Sequence, residues 1–397
     1  MNKGIVLLLN AEYVQSIVLG KSFQRQGWKV TCFCSGKCTS GYTSRYLDER
    51  YVVPDVKKDE EAFRKFFFGY LQNHEVSLII PMIDDSAEFL SKNKEKIEKE
   101  YHAICASETP EKFNYARNKQ LLMSLCEEHN VCHPKTRALS CASEGNPNNL
   151  TSVAEYVGFP ALIKPDFSAG ARGITKVNSI EELKEVYPAI EKEFGSCTLQ
   201  QFVEQPDYYY NVMMYRSAEG EILADAVIKI RRYFPIQGGS SCYSETVRMD
   251  SLCEDCRKVL NVIDWHGFAD FDVLEDKNTG ELKIIEINPR VPSSLQGAAA
   301  AGVDFGKVFV ADYLDGKIPK FEYKEGQQVR WFGLDVMWFV FSPNRFRFKP
   351  SWFRFFGKNV SYHDGSWSNP LPMIAGCLAG FIKYLNPEVR RAKLGKK

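Results

Sequence analysis

The sequence Glu286-Ile287-Asn288-Pro289-Arg290 ends an apolar run and decides how the surrounding chain is interpreted. A second acid, Asp272, lies fourteen residues upstream of Glu286, and the turn-forming sequence 276–280 separates them. Both flanks have the composition of short β-strands, so we predict a hairpin with a longer loop. Because side chains alternate along a strand, Glu286 and Asn288 are expected on one face.

Two carboxylates and an amide oxygen on adjacent strands form an all-oxygen ligand set. Such a set suits Mg²⁺ carrying nucleotide phosphates. Arg290, two residues beyond Asn288, is placed to reach a phosphate. A hairpin with a solvated acidic face would show the same pattern, so this motif alone leaves both interpretations open.

The composition limits the remaining classes of function. A chain of 397 residues is long enough for two or three domains, and 51 basic against 50 acidic residues give no global signal for nucleic acid. The first apolar run is too short for a signal peptide, and no run reaches the roughly 18 residues of a membrane-spanning helix. With twelve cysteines and no export signal, the sequence predicts reduced thiols in the cytoplasm.

Five of the cysteines raise the alternative of a zinc site. Cys32, Cys34 and Cys38 are close in sequence, and Cys253 and Cys256 form a distant pair. The first three lie at a strand end, and no histidine pairs with them. Buried or idle thiols are therefore favoured over a metal site.

The order of predicted elements indicates two kinds of sheet. The first hundred residues alternate strands and helices, which predicts a doubly wound parallel sheet. Asn10-Ala11-Glu12 follows the first strand in place of G-x-G-x-x-G, so a dinucleotide site is disfavoured. The strands after residue 198 come without long helices between them, which predicts an antiparallel sheet. The class is α/β joined to α+β.

A lysine and a small-residue loop form a second candidate element. A strand is predicted over 159–165, with Lys164 and Pro165 at its end. It leads into the loop Ser168–Gly173, which contains Arg172. Small residues let backbone N–H groups approach phosphates closely. Such a loop is more often a plain turn, and its spacing from Lys164 is what favours a phosphate site.

Five elements in this order resemble the ATP-grasp superfamily, over roughly residues 1–310. They are Asn118-Lys119 at a helix start, the strand Ile163-Lys164-Pro165, the loop Ser168–Gly173, a hinge at Gln200–Val203 and the hairpin with Asp272, Glu286, Asn288 and Arg290. The continuation Val291-Pro292-Ser293-Ser294 is especially similar to the synthetase modules of carbamoyl phosphate synthetase and to D-aspartate ligase. The resemblance implies an N-terminal parallel-sheet domain (1–113) and an ATP-grasp domain (114–310) with a lid-like subdomain and an antiparallel-sheet subdomain. An aromatic and basic extension (311–397) lies outside it.

The resemblance also implies a role for each matching position. The residues implied to bind ATP phosphates are Lys119, Lys164 and the loop residues Ser168, Gly170, Arg172 and Gly173. Backbone groups of Gln201, Phe202 and Val203 would contact adenine, and Glu204 or Asp207 would hold the ribose. Asp272, Glu286 and Asn288 match the ligands of Mg²⁺, or of Mn²⁺ in its place, and Arg290 and Arg231 are candidates for the reacting centre. The chain has Gln200-Gln201 where a glutamate is common before the hinge, which leaves the adenine contacts less defined.

The implied activity is ATP-dependent ligation of a carboxylate to an amine through an acyl phosphate, with an amino acid as one substrate. A site of Lys, Arg, Asp, Glu and Asn fits phosphoryl transfer, since that chemistry needs positioning and charge neutralisation and no protein nucleophile. The alternatives are a ligase that uses a thiol or ammonia, and an ATP-binding regulatory protein without turnover. The oligomeric state is not fixed, and a homodimer is one option.

The extension from about residue 309 has two interpretations. Apolar runs at 331–341 and 371–381 flank a segment that mixes Phe and Trp with Arg and Lys, and the last fifteen residues are strongly basic. Such stretches can lie on an anionic membrane surface and meet a membrane-borne or envelope-precursor substrate. A small subdomain that packs on the ATP-binding unit is the favoured interpretation.

Overall fold

The first sheet has five parallel strands and lies at the N-terminal end of the chain. A computed structural model describes residues 3–139, 149–166, 173–236, 239–315 and 317–385. The strands are β1 (Ile5–Leu9), β2 (Lys29–Cys34), β3 (Glu49–Val52), β4 (Val76–Pro81) and β5 (Ile104–Cys105), in the spatial order β3-β2-β1-β4-β5. Helices α1 (Gln15–Arg25), α2 (Glu60–Asn73) and α3 (Asp84–Glu100) connect them. The predicted parallel sheet is confirmed.

A second sheet follows two short helices. Two separate helices form, α4 (Pro110–Arg117) and α5 (Lys119–Glu128), with a break at Asn118, so Asn118-Lys119 lies at a helix start as expected. The break occurs because Asn118 leaves the helical conformation and its Oδ1 accepts a hydrogen bond from the Leu121 N–H at 3.0 Å, which caps α5. The second sheet consists of β6 (Thr136–Leu139), β7 (Ala161–Pro165), β8 (Thr175–Val177) and β9 (Cys197–Gln201), in the order β6-β9-β7-β8, with α6 (Leu150–Val157) and α7 (Ile180–Phe194) beside it.

The third sheet has seven strands and contains the predicted hairpin. Its strands are β10 (Tyr209–Arg216), β11 (Ile222–Phe234), β12 (Ser240–Val247), β13 (Gly267–Glu275), β14 (Leu282–Asn288), β15 (Gln328–Arg330) and β16 (Val360–Tyr362), in the order β14-β13-β10-β11-β12-β15-β16. All neighbours are antiparallel except β15 and β16. The later helices are α8 (Asp250–Ile263), α9 (Leu295–Ala300), α10 (Phe305–Val310), α11 (Phe332–Phe341) and α12 (Leu371–Leu385). The predicted mixture of α/β and α+β architecture is confirmed.

The third sheet is buried on both faces. Met213 of β10 belongs to a core shared with the first sheet, α1, α9 and α10, while its neighbour Met214 belongs to a core shared with α5 and α8. Successive side chains of a strand point to opposite faces, so one strand contributes to both cores. The first sheet is therefore held against one face of the third sheet.

The extension after residue 310 packs on the third sheet through a buried ion-pair cluster. Asp335 of α11 accepts hydrogen bonds from Arg232 of β11 at 2.7 and 2.9 Å, and from Arg330 of β15 at 2.6 and 2.9 Å. All three side chains are at most 1% exposed. Backbone carbonyls of Pro350, Trp352 and Arg354 accept further hydrogen bonds from the two guanidinium groups. The extension is thus tied to the centre of the sheet.

None of the helices within the described ranges is both long and apolar enough to cross a lipid bilayer.

The buried His363, which follows β16, gives stability a pH dependence. Burial lowers the pKa of His363 from 6.5 to about 3, so the unfolded chain takes up a proton between these values that the folded chain does not. The neighbouring Asp364 opposes this, because burial raises its pKa to about 6. The contribution of the uncharged His363 to the free energy of unfolding is therefore fully present above pH 6.5, and it decreases as the pH falls below that value. Relative to His363→Gln, the protein should lose up to about 1.4 kcal/mol for each pH unit below 6.5.

Denaturant titrations of the two proteins between pH 7 and pH 4 would measure this difference. If the two profiles of unfolding free energy run parallel, the histidine is not the source of acid sensitivity.

Candidate functional site

The predicted acidic group forms on the hairpin of β13 and β14. Asp272 is the cross-strand partner of Glu286, and Asp270 is the partner of Asn288. Directly opposed residues of an antiparallel pair share a face, so the four side chains lie together. The structure thus brings together Asp272, Glu286 and Asn288, as the spacing predicted, and adds Asp270.

Asn211 of β10 completes this group from the neighbouring strand. Its Nδ2 donates to Asp272, and its Oδ1 accepts a hydrogen bond from the Ser294 hydroxyl at 3.2 Å. Asp270 could have been found from the sequence, since it lies two residues before Asp272 on a predicted strand. Asn211 carries no such local signal, because its contact depends on the pairing of β10 with β13.

Arg290 joins the hairpin to the first sheet. Its Nη2 donates to the Asn288 Oδ1 at 3.0 Å, and its Nε donates to the Asp84 Oδ1 at 3.2 Å. Asp84 is the first residue of α3, which directly follows β4. Asp84 was not among the predicted site residues. The ion pair places the carboxyl end of the parallel sheet at one side of the acidic group.

Two lysines act electrostatically on the acidic group. Lys164, at the end of β7, is buried and donates to the Gln200 Oε1, while the Gln200 Nε2 donates to the Thr136 hydroxyl at 3.0 Å. Burial lowers the pKa of Lys164 to about 8; Glu286 and Asp272 act against this shift, and the charge of Lys119 adds to it. Lys119 at the start of α5 therefore acts on the same site.

Burial and neighbouring charges shift the pKa of each carboxyl group in the acidic group. Burial raises the pKa of Asp270 to about 8, and burial together with the charge of Glu286 raises that of Asp272 well above its usual value. Burial also acts to raise the pKa of Glu286, but Lys119, Asp272 and Lys164 outweigh it and leave that pKa below its ordinary value. Like-charged carboxylates held this closely favour either a proton or a cation between them.

The donor set fits a hard divalent cation with one rearrangement. Carboxylate oxygens dominate the group, and the Asp270 Oδ1 is buried without a hydrogen-bond partner among the described residues. The Asn288 amide nitrogen faces Asp270 and Asp272 at 3.3 and 3.4 Å, and its oxygen faces Arg290. To bind a cation through its oxygen, the Asn288 amide would rotate by about 180°. The flipped amide would occupy almost the same space. In the described ranges, no three His, Cys, Asp or Glu side chains are grouped so as to hold a metal ion by themselves, so substrate oxygens would complete the coordination.

Arg231 is not brought to this group. Arg231 lies within β11, and its Nε donates to a Glu245 carboxylate oxygen at 3.0 Å. It lines a separate cavity of about 390 Å³ together with Asp207, Tyr208, Asn344, Arg347, Phe348 and Lys349.

The hinge after β9 already uses part of its hydrogen-bonding capacity. The Gln201 N–H donates to the Lys135 carbonyl at 2.8 Å, and the Phe202 N–H donates to the Pro160 carbonyl at 3.0 Å. An adenine contact through a hinge N–H would therefore fall to Val203. Lys176 lies 3.8 Å from the centre of the Phe202 ring.

The remaining predicted residues are the two candidates for the ribose and the residues of the small-residue loop. Glu204 is exposed and pairs with Lys277 at 3.4 Å, whereas Asp207 belongs to the cavity with Arg231. Ser168, Gly170 and Arg172 lie outside the described residues. Gly173 has φ +74°, and a Cβ there would come within 2.8 Å of the Pro165 side chain, so glycine is required where the loop rejoins β8.

A cavity of about 850 Å³ is lined by residues outside the acidic group. Its walls include Lys21 and Arg25 of α1, Ala299 of α9, and Phe355 and Tyr362 of the extension. None of the predicted site residues lines it.

A family model matches the part of the chain that carries the acidic group. Residues 126–310 match the family model of the carbamoyl-phosphate synthase L chain, ATP binding domain. This match covers a little under half of the chain, and it supports the resemblance to the ATP-grasp superfamily.

Individual similar proteins are distant. Acetyl-CoA carboxylase 1 of Oryza sativa subsp. japonica is 25% identical over 142 residues, which are 34% of this chain and 6% of that protein. D-alanine--D-alanine ligase of Pseudomonas entomophila is 23% identical over 197 residues, 46% of this chain and 59% of the ligase. The chain thus matches less than two thirds of the length of each. The biotin carboxylase of Campylobacter jejuni, solved as a β-γ-ATP complex, superposes with a TM-score of 0.65 at 17% identity, over 81% of this chain and 74% of that one.

Proposed function

We propose that this protein is an ADP-forming ligase that uses ATP to activate a carboxylate and joins it to an amine, with an amino acid as one substrate. The observation that carries the proposal is the opposition of Asp272 and Glu286 across one hairpin. The positive charges of Lys119, Lys164 and Arg290 all act on Glu286. The match to an ATP-binding domain and the similarity to a D-alanine--D-alanine ligase support it.

The proposed reaction has two steps. A carboxylate oxygen bonds to the γ-phosphorus of ATP as the bond from that phosphorus to the β–γ bridging oxygen breaks, which releases ADP and gives an acyl phosphate. The amine nitrogen then bonds to the carbonyl carbon, phosphate leaves, and the nitrogen loses its proton to solvent. Activation is needed because a free carboxylate has only oxide as its leaving group.

The protein's own side chains hold the reacting groups in place and neutralise their charge. Lys164 and Lys119 would hold phosphate oxygens, and Asp272, Glu286 and the Asn288 amide oxygen would hold Mg²⁺, which supplies neutralisation of phosphate charge. Arg290 would face the transferred phosphoryl group. Asp84 and Asn288 fix its guanidinium, so the charge is oriented before substrate binds.

The proposed function includes a division of the chain into three units. The boundaries 1–113, 114–310 and 311–397 separate the parallel-sheet unit, the ATP-binding unit and the extension. Because Arg290 and Asp84 come from the first two units, the carboxylate substrate would enter between them. A thiol or ammonia nucleophile would use the same activation step.

The test is nucleotide product analysis with Mg-ATP and a panel of amino acids and small carboxylates, supplied singly and in pairs. Bicarbonate belongs in the panel, since two of the similar proteins are carboxylases by name. We expect ADP and phosphate to appear only with a particular pair. Release of AMP and pyrophosphate would instead show adenylation and contradict the proposal.

A control separates a silent ATP-binding protein from an incomplete panel. Binding of Mg-ATP without turnover, combined with no change in ATP affinity when any carboxylate is added, would favour the regulatory alternative. A carboxylate that changes ATP affinity identifies the first substrate even when the amine is missing.

A further inference from the structure

Large apolar side chains are exposed mainly at the C-terminal end of the described chain. Of eighteen such exposed residues, twelve lie between Val340 and Leu385. Three aromatic side chains protrude farthest: Trp367 is 91% exposed, Phe356 76% and Phe346 73%. Isolated exposed apolar residues are ordinary, but a concentration of this kind marks an interaction surface.

Helix α12 contributes an apolar row to this surface. Leu371, Ile374, Leu378, Phe381 and Leu385 recur at spacings of three and four residues, so they share one side of the helix, and each is half to two-thirds exposed. The row spans about 20 Å along the helix.

The other side of α12 packs through small residues. Ala375 is buried, and a Cβ on Gly376 would come within 2.4 Å of the Ser40 hydroxyl, so the helix lies directly against the N-terminal unit. Cys377 faces Gly333 of α11. A surface helix ordinarily turns its large apolar side chains inward, and α12 has the reverse arrangement.

The same segment is strongly basic. Between residues 336 and 387 the sequence has six basic residues and one acid, Asp364, which is buried. Lys349, Arg354 and Lys358 have exposed side chains. This contrasts with a net charge of only +1 for the whole chain.

We propose that this outer surface, formed by Phe346, Phe356, Trp367, the exposed row of α12 and the basic residues beside them, docks on an anionic lipid membrane without crossing it. Protruding aromatic rings, an apolar helical row and basic side chains are the combination that inserts at the boundary between headgroups and acyl chains. A second copy of the chain fits this surface less well, because it would bring two basic surfaces together. In the part of this segment that the structure describes, the one acid, Asp364, is buried.

Flotation of the full chain with lipid vesicles tests the proposal. One set of vesicles contains phosphatidylcholine alone, and the other contains equal amounts of phosphatidylcholine and phosphatidylglycerol. The protein should float with the anionic vesicles at low salt and lose most of that binding at high salt. Recovery of all protein in the unbound fraction, or equal binding to both vesicles, would overturn the proposal.

Two variants with matched controls locate the surface. Lys358→Gln should weaken binding to anionic vesicles about fivefold, whereas Lys258→Gln on α8 should leave it unchanged. The double variant Phe356→Ser with Trp367→Ser should weaken it at least about tenfold, with Val262→Ser on α8 as control. Thermal unfolding confirms that each variant is folded.

Equal effects of variant and control would contradict the assignment of this surface. Sedimentation of the protein without vesicles tests whether a second copy of the chain covers this surface. A dimer that the double variant converts to a monomer would show that a second copy covers the surface.

Discussion

Replacement of Asp335 by asparagine is expected to lower the free energy of unfolding by about 3–5 kcal/mol. Arg232 and Arg330 are both fully buried, and Asp335 is the carboxylate that pairs with each of them. Asparagine keeps the volume but removes the negative charge, which leaves two guanidinium groups buried without compensation. Denaturant titration at neutral pH measures the loss.

An exposed aspartate supplies the control. Asp250 pairs with Arg248 at 2.6 Å but is largely solvated, so Asp250→Asn should cost less than about 1 kcal/mol. Removal of all three buried charges, with Arg232→Met, Arg330→Met and Asp335→Leu together, should recover much of the stability lost in Asp335→Asn. Equal losses for Asp335→Asn and Asp250→Asn would show that the buried cluster is not held by its charge.

Substitution of Glu286 by glutamine should reduce ligase turnover by about 10³-fold, given the proposed function. Glutamine has the shape of glutamate but removes one of the two carboxylates placed opposite each other on the hairpin. The cation would then be held by Asp272 and the Asn288 amide oxygen alone. The concentration of Mg²⁺ needed for half-maximal nucleotide binding should also rise, which calorimetry can measure without any turnover.

The matched control is Glu281→Gln, an exposed glutamate just before β14 that pairs with Lys283 at 3.5 Å. It should change neither turnover nor the Mg²⁺ requirement. Full turnover in Glu286→Gln would remove this residue from the metal site. A change in thermal stability without a change in Mg²⁺ requirement would assign it a structural role.

Local sequence patterns were sufficient to predict the parallel sheet and the hairpin. Alternating strands and helices predicted the first sheet, and the alternation of side chains placed Glu286 beside Asn288 on the face of Asp272. These features depend on residues close in sequence.

Contacts between distant strands could not be read in the same way. Asn211 meets Asp272 across 61 residues, and Asp84 meets Arg290 across 206. Neither pair has a spacing signal, since strand order and the packing of whole units create them. Arg231 was a candidate for the reacting centre through the resemblance alone. In the structure it pairs with Glu245, while the adjacent Arg232 anchors the extension.

The attachment of β15 to β12 has a consequence for any shortened form of the protein. β12 is an interior strand only because β15 covers one of its sides through the pairs Tyr243–Arg330, Ser244–Val329 and Glu245–Gln328. A chain that stopped at residue 310 would therefore expose a row of unpaired backbone groups, which is a template for aggregation. The last quarter of the sequence is thus expected to be needed for solubility as well as for stability, and an isolated ATP-binding unit should be designed with β15, α11 and β16 included.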